Sequence, residues 1–306
     1  MEETLLETLE HLEVREPVSH GPLHVFPLLG GARAEQDLSL LEDGLQQGTL
    51  RIEELHEAGS VPELRILNEG SQPVLILEGD ELIGARQNRV VNSSVLVAAD
   101  SELVLPVTCV ERGRWSYRSR AFSSGTGSPH LTLRRLKSRS VLDSLKHGRG
   151  HRSDQGAVWR EVDRKARLHE APSPTHALQD SRSHLSEKLD AFEKLAQELP
   201  EGTLGVAVAL GERPVLLEVL AGPRSFARVS RKLLSGYAFE AVGLGGRYGT
   251  PNTLAVRNVI EKVTKAAHEE HQAVGSGRDV RFEEGEISGY ALLGERGVVH
   301  AAVFVG

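Results

Sequence analysis

Six short apolar runs fill the first 110 residues, at Leu23–Leu28, Thr49–Leu55, Glu63–Leu67, Pro73–Glu78, Arg89–Val97 and Glu102–Val110. Each is rich in Leu, Ile and Val, and turn formers (Gly, Asn, Pro) separate them. Runs this short, at this spacing, build sheets from hairpins rather than long helices. One helix, Asp37–Gln47, interrupts the series and is closed by Gly48. No stretch approaches 18 consecutive apolar residues, so no membrane span is expected. The acidic opening MEETLLETLEHLEV does not read as a secretory signal, and the expected location is cytoplasmic.

The middle of the chain changes character. Val158, Trp159, Val162 and Ala166 share a helical face, with Asp154 placed as its N-cap. Leu185, Leu189, Phe192, Leu195 and Leu199 form a second stripe that ends at Pro200-Glu201-Gly202. Farther on, Gly211-Glu212-Arg213-Pro214 separates two strands as a hairpin turn. A stripe through Phe226, Val229, Leu233, Tyr237 and Ala241 predicts one helix. Asn252 caps another, carrying Val256, Val259, Ile260, Val263 and Ala267. Strands at Arg278–Glu283, Ile287–Leu293 and Val298–Val305 close the chain.

Strands and helices are therefore grouped rather than alternating. The expected class is α+β, with antiparallel-rich sheets in the N-terminal part, a helical middle and a mixed C-terminal part. The expected division is a β-rich region over 1–128 and a helical, α+β region over 129–306. Whether the terminal strands join the first sheet is not readable from the sequence.

The single cysteine, Cys109, excludes a disulfide framework and any zinc site with two thiolates. Ending an apolar strand, it reads as a small buried hydrophobe rather than a nucleophile. The net charge of -7 argues against a cationic nucleic-acid coat. That sum hides a split. Residues 111–170 hold 15 basic and 6 acidic side chains, which leaves +9 there and −16 elsewhere. A local phosphate-facing surface therefore stays open as a reading. Ser123–Ser128 and His147–Ser153 read as mobile loops within this stretch.

Two polar clusters stand out. In Leu77–Arg89, three carboxylates (Glu78, Asp80, Glu81) follow an apolar strand, and Arg86, Gln87, Asn88, Arg89 and then Asn92 come after them. In an extended chain neither face of Arg86–Arg89 is cleanly apolar. Such a segment is either a charged turn or a polar cleft. In a cleft, arginine forks bind phosphate or carboxylate and a carboxylate serves as base or hydroxyl ligand. The second cluster runs from Cys109 through Glu111, Arg114, Trp115 and Tyr117 to Arg120. Aromatic rings beside guanidinium groups can hold a nucleobase and its phosphate. Alternatively, Trp115 is a core anchor. No metal-ligand spacing appears. His268-Glu269-Glu270-His271 reads as an exposed helix end, and Gly243–Gly249 lacks the spacing of a dinucleotide loop.

The block GARQNR together with CVERGRW resembles a domain family described as associated with ADP-ribosylglycohydrolases and with phosphatases of the rhodanese superfamily. The likeness is strongest over Pro73–Tyr117. It continues through Asp154–Val162 and, more weakly, through Phe226–Val242. The matching residues are Glu78, Gly79, Glu81, Gly84, Gln87, Asn88, Arg89, Cys109, Glu111, Gly113, Arg114, Trp115, Gln155 and Trp159. The resemblance implies an α+β domain that works beside a separate ADP-ribose- or phosphoester-handling enzyme. It assigns no cofactor and no settled activity.

The leading expectation is a binder, with or without turnover, of a nucleotide-derived ligand of the ADP-ribose or NAD type. Arg86, Arg89 and Arg114 would contact its diphosphate. Gln87 and Asn88, with Asn92 and Glu111 nearby, would bond ribose or base. Trp115 or Tyr117 would stack on adenine, and Glu78 or Glu81 would be the general base. A sensor or scaffold module docking onto a partner enzyme is the alternative. Nucleic-acid binding through 111–170 is the third and least favoured reading.

Overall fold

The computed structural model describes residues 2–30, 38–244, 248–249 and 251–306. The chain divides into two compact units, Met1–Gln36 with Glu187–Gln272 and Gly277–Gly306, and Asp37–Ser186 with Ala273–Ser276. Both contain helices and antiparallel sheets, so the class is α+β.

In the first unit the strands run in the order Leu12–Val14, Leu23–Gly30, Gly205–Leu210, Arg213–Leu220, Gly297–Val305, Ile287–Gly294, Arg278–Glu284 and His268–Gln272. Val18–His20 also pairs with Leu23–Gly30. The terminal strands thus join the strands of the first thirty residues, not those between 50 and 110. The expected hairpin turn narrows from Gly211–Pro214 to Gly211-Glu212, because Arg213 and Pro214 already pair with Leu210 and Ala209. Alternation along each strand sorts the two faces. Leu217, Val219, Val280, Phe282, Ala291, Ala301 and Val303 pack with Leu5 and Leu9 of the Glu2–Glu10 helix and with Val256 and Val263 of Thr253–Lys265. The opposite face carries Glu218 and His300. They meet Tyr237 of the Pro223–Ala241 helix, whose hydroxyl donates to Glu218 while His300 Nε2 lies 2.8 Å from the other carboxylate oxygen.

Gly205 sits in the middle of this sheet, where a Cβ would collide with the backbone carbonyl of Glu218. Gly205→Ala is expected to cost about 1–3 kcal/mol of stability, read by chemical denaturation.

In the second unit a six-stranded antiparallel sheet runs Phe122–Ser124, Glu81–Gly84, Arg89–Val91, Ser101–Cys109, Glu63–Asn68 and Leu50–Glu54. Its outer strands come back against each other. A three-stranded sheet, Val95–Val97, Val74–Ile76 and Ser39–Leu40, contains one parallel pair. Leu50, Ile52, Leu64, Ile66, Leu82, Val91, Leu105 and Val107 of the large sheet and Val74, Ile76, Val95 and Val97 of the small one share a single core. On the outside, Val90 and Val110 meet Leu133, Val158, Val162 and Leu178 of the helices Leu131–Lys146, Gln155–Leu168 and Leu178–His184. The change in composition near residue 129 is the passage from strands to helices within this unit.

Several local expectations are corrected. The first expected helix is Leu41–Gln47, closed by Gly48 at φ 71°, with Ser39–Leu40 a short strand before it; Asp37 lies outside the described residues. The Leu185–Leu199 stripe divides into Ser186–Glu193 and a 3-10 turn, Lys194–Gln197. The Asn252-capped helix ends at Lys265, so Ala267 is outside it, and His268–Gln272 is an edge strand instead of a helix end. Gly243–Gly249 falls partly outside the described residues. Gly125 and Gly127 pack on Glu81 and Arg182, and His151 is buried beside Ser93 at 2.9 Å, so neither loop segment is simply solvated. Asp154 and Asn252 do cap their helices, each accepting from the backbone N–H three residues on. Among the described residues, no helix is long and apolar enough to cross a membrane.

Candidate functional site

The inward face of the curled sheet is apolar until its end. Leu50 and Ile52 point into the core, so Glu54 points the same way two residues later; Leu105 and Val107 are followed likewise by Cys109, and Val91 is preceded by Arg89. Arg89 pairs directly with Cys109 and with Leu82 on its two neighbouring strands. Three polar side chains thus finish three apolar ladders at one mouth of the sheet.

Above this mouth lies a groove of about 830 Å³, lined by Glu53, Glu54, His56, Glu57, Arg86, Tyr117, Arg120 and Ala121. Arg86 is its centre. The guanidinium carbon lies 4.4 Å from the Tyr117 ring centroid and 5.6 Å from that of Trp115. Arg86 Nη2 donates to the Glu57 carbonyl at 2.7 Å, and its backbone N–H donates to Glu54 Oε1 at 3.3 Å. Trp115 is 45% exposed and Tyr117 50%. Trp115 is therefore not a core anchor. Gly59, at φ +78°, brings its backbone against Arg86 and Trp115, where a Cβ would crowd both.

Arg114 builds the wall behind the aromatic loop. Its Nε and Nη2 grip Glu111 at 2.9 and 2.6 Å. Nη1 donates to the carbonyls of Ala85 and Ser116, while Nη2 also reaches the Gly84 carbonyl and Asn88 Oδ1. Glu111 further accepts from the Asn88 backbone N–H and from Thr175 Oγ1, each at 3.0 Å. Burial would raise the Glu111 carboxyl, but the hydrogen bonds from Arg114, Asn88 and Thr175 outweigh it and hold it below its ordinary value. This clamp ties the 84–88 turn to the 111–116 loop.

Beneath the groove, Arg89 is fully buried, and Nη1 donates to Gln87 Oε1 at 3.2 Å. The Cys109 thiol donates to the same oxygen at 3.2 Å. Burial pushes that thiol up, against the pull of Arg89, as expected of a packed cysteine. Gln155 clamps Cys109 like an extra strand, accepting from its N–H and donating to its carbonyl, both at 2.8 Å.

The remaining sequence candidates stand elsewhere. Glu78 is buried beneath the Leu131–Lys146 helix, where Arg134 Nε donates to it at 2.9 Å and Lys137 Nζ pairs with its other oxygen. Glu81 is buried and accepts from Arg182 Nη1 at 2.5 Å. Asn92 bonds Thr108 Oγ1 and the His151 carbonyl. Arg86, Arg89, Gln87, Trp115 and Tyr117 therefore gather at the mouth, with Asn88, Glu111 and Arg114 as their frame. Glu78, Glu81 and Asn92 are spent on packing. Within 111–170, Arg114, Arg134, Lys137 and Lys165 are buried or nearly so, while most of the other basic side chains are exposed.

Sequence reasoning missed Glu53, Glu54, His56 and Glu57. The readable signal was Leu50-x-Ile52-x-Glu54, an alternation whose third inward position is a carboxylate.

A family model described as ARG and Rhodanese-Phosphatase-superfamily-associated Protein domain matches residues 11–304. No curated protein and no solved structure matches the chain.

Proposed function

The chain belongs to the ARG and rhodanese-phosphatase-superfamily-associated protein domain family, whose name associates it with ADP-ribosylglycohydrolases and that phosphatase superfamily, and from this premise we propose that it binds a nucleotide-derived ligand of the ADP-ribose or NAD type for a separate enzyme. The observation that carries the reading is the pair of half-exposed rings, Trp115 and Tyr117, set around Arg86 over a groove large enough for a nucleotide. A ring stacks on the base. Arg86 and Arg120 face the diphosphate, and Glu53 and Glu57 accept from ribose hydroxyls. The expected bases Glu78 and Glu81 are buried in ion pairs, so the carboxylates that face the groove are Glu53, Glu54 and Glu57.

Calorimetry with ADP-ribose and NAD tests this. A saturable heat is expected. Trp115→Ala and Arg86→Ala should each weaken binding roughly tenfold or more. No heat at millimolar ligand, or undiminished binding by both variants, overturns the reading.

A further inference from the structure

Arg89 is fully buried, yet its Nε and Nη2 have no hydrogen-bond partner. Those two atoms form the side edge of the guanidinium, which holds two oxygens of one anion in parallel. Other arginines of the chain use that edge in this way: Arg65 on Glu102, Arg114 on Glu111, Arg164 on Glu161 and Arg281 on Asp279. Arg89 makes no ion pair among the described residues. Leaving a buried charged donor unmatched is costly, so an edge built this way asks for an acceptor.

Two more unmatched atoms stand at the same mouth. Glu54 Oε2 and Arg86 Nε are buried without a partner. Glu54 interacts electrostatically with Arg89 and accepts from the Arg86 backbone N–H. Arg86 and Arg89 both lie within 6 Å of the Trp115 ring, at 5.6 and 5.8 Å. The open set thus consists of guanidinium N–H donors and one carboxylate acceptor. Two oxygens on one centre satisfy the edge of Arg89, and a hydroxyl beside that centre satisfies Glu54. An anion without a hydroxyl would leave Glu54 unmet, and a neutral sugar would leave Arg89 unmet.

We propose that this mouth is a subsite for one sugar-linked phosphate of the ligand, with its two non-bridging oxygens on the Nε–Nη2 edge of Arg89 and a hydroxyl of the attached sugar donating to Glu54. It rests on the nucleotide-binding reading and specifies which part of the ligand goes deepest. Arg89 has no exposed surface, so the half-exposed Trp115 side chain above it moves aside on entry.

Calorimetry of the full chain with ribose 5-phosphate, inorganic phosphate, ribose and glycerate tests the subsite. Ribose 5-phosphate should bind more tightly than inorganic phosphate, and ribose should not bind. Arg89→Lys keeps the charge but lacks the edge, and should weaken ribose 5-phosphate roughly tenfold to a hundredfold. Glu54→Gln should reduce the preference for ribose 5-phosphate over inorganic phosphate while leaving inorganic phosphate bound. Should Arg89→Lys not fold, Glu54→Gln decides. Unchanged ribose 5-phosphate affinity in a folded Arg89→Lys, or equal binding of glycerate, overturns the proposal. ADP-ribose binding that survives Arg89→Lys undiminished sinks the subsite and leaves the groove reading standing. Ribose 5-phosphate binding without ADP-ribose binding does the reverse.

Discussion

Glu78→Ala is expected to destabilise the unit that contains it by about 3–5 kcal/mol, because it strands two buried cations, Arg134 and Lys137, without their shared carboxylate. Chemical denaturation at neutral pH measures this. The same pair dictates a pH dependence. Burial favours the neutral acid, but Lys137 and Arg134 outweigh it and hold the Glu78 carboxyl below its usual value near 4.5. A carboxyl whose folded value is depressed adds stability that is complete above the unfolded value. That contribution falls away as the pH drops from about 4.5 through the folded value. Glu78→Gln removes this acid-side slope. Glu111, also depressed, keeps its own. An unchanged acid limb in Glu78→Gln would show that the ion pair is not what the acid attacks. Ligand binding by folded Glu78→Gln should be normal, which separates a packing role from a place in the binding groove.

Arg114→Ala is expected to cost about 3 kcal/mol and to weaken ADP-ribose binding beyond what stability explains. Its loss leaves buried Glu111 without its cation, held only by the Asn88 N–H and Thr175 Oγ1, and releases the Ala85, Ser116 and Gly84 carbonyls together. Trp115 follows Arg114 directly and Tyr117 lies two residues further on, so the rings over the groove lose their anchor. Iodide quenching of Trp115 fluorescence in a Trp159→Phe background should rise. Arg114→Lys should not rescue, since a single ammonium cannot reproduce a fork that meets five acceptor groups. Full rescue by lysine would reduce the clamp to a simple point charge.

The legible parts of this protein were the local ones. Hairpin strands, the Asp154 and Asn252 caps and the Gly211-Glu212 turn each depend on a few neighbouring residues. The Leu131–Lys146 helix was not legible, although it is sixteen residues long. Its buried face carries Arg134, Lys137 and Ser138 among Leu133, Val141 and Leu142, so no clean apolar stripe marks it. His268–Gln272 misled in the opposite direction. Its polar side chains suit an exposed edge strand as well as a helix end, and pairing with Arg278–Glu284 made the choice.

For the site, the two clusters were found and their convergence was not. Sequence spacing placed Arg86, Arg89, Trp115 and Tyr117 among the candidates, and the fold joins them at one mouth. The same spacing made Glu78 and Glu81 look catalytic, because three carboxylates within four residues read alike. Their partners stand 56 and 101 residues away. By itself the sequence determined the class of fold, the family and the residue types that carry the chemistry, since backbone periodicity and turn geometry are local. Only the tertiary structure decided which charge meets which. The worth of a carboxylate or a guanidinium depends on whether an opposite charge reaches it out of water, and that is settled by packing across the whole chain.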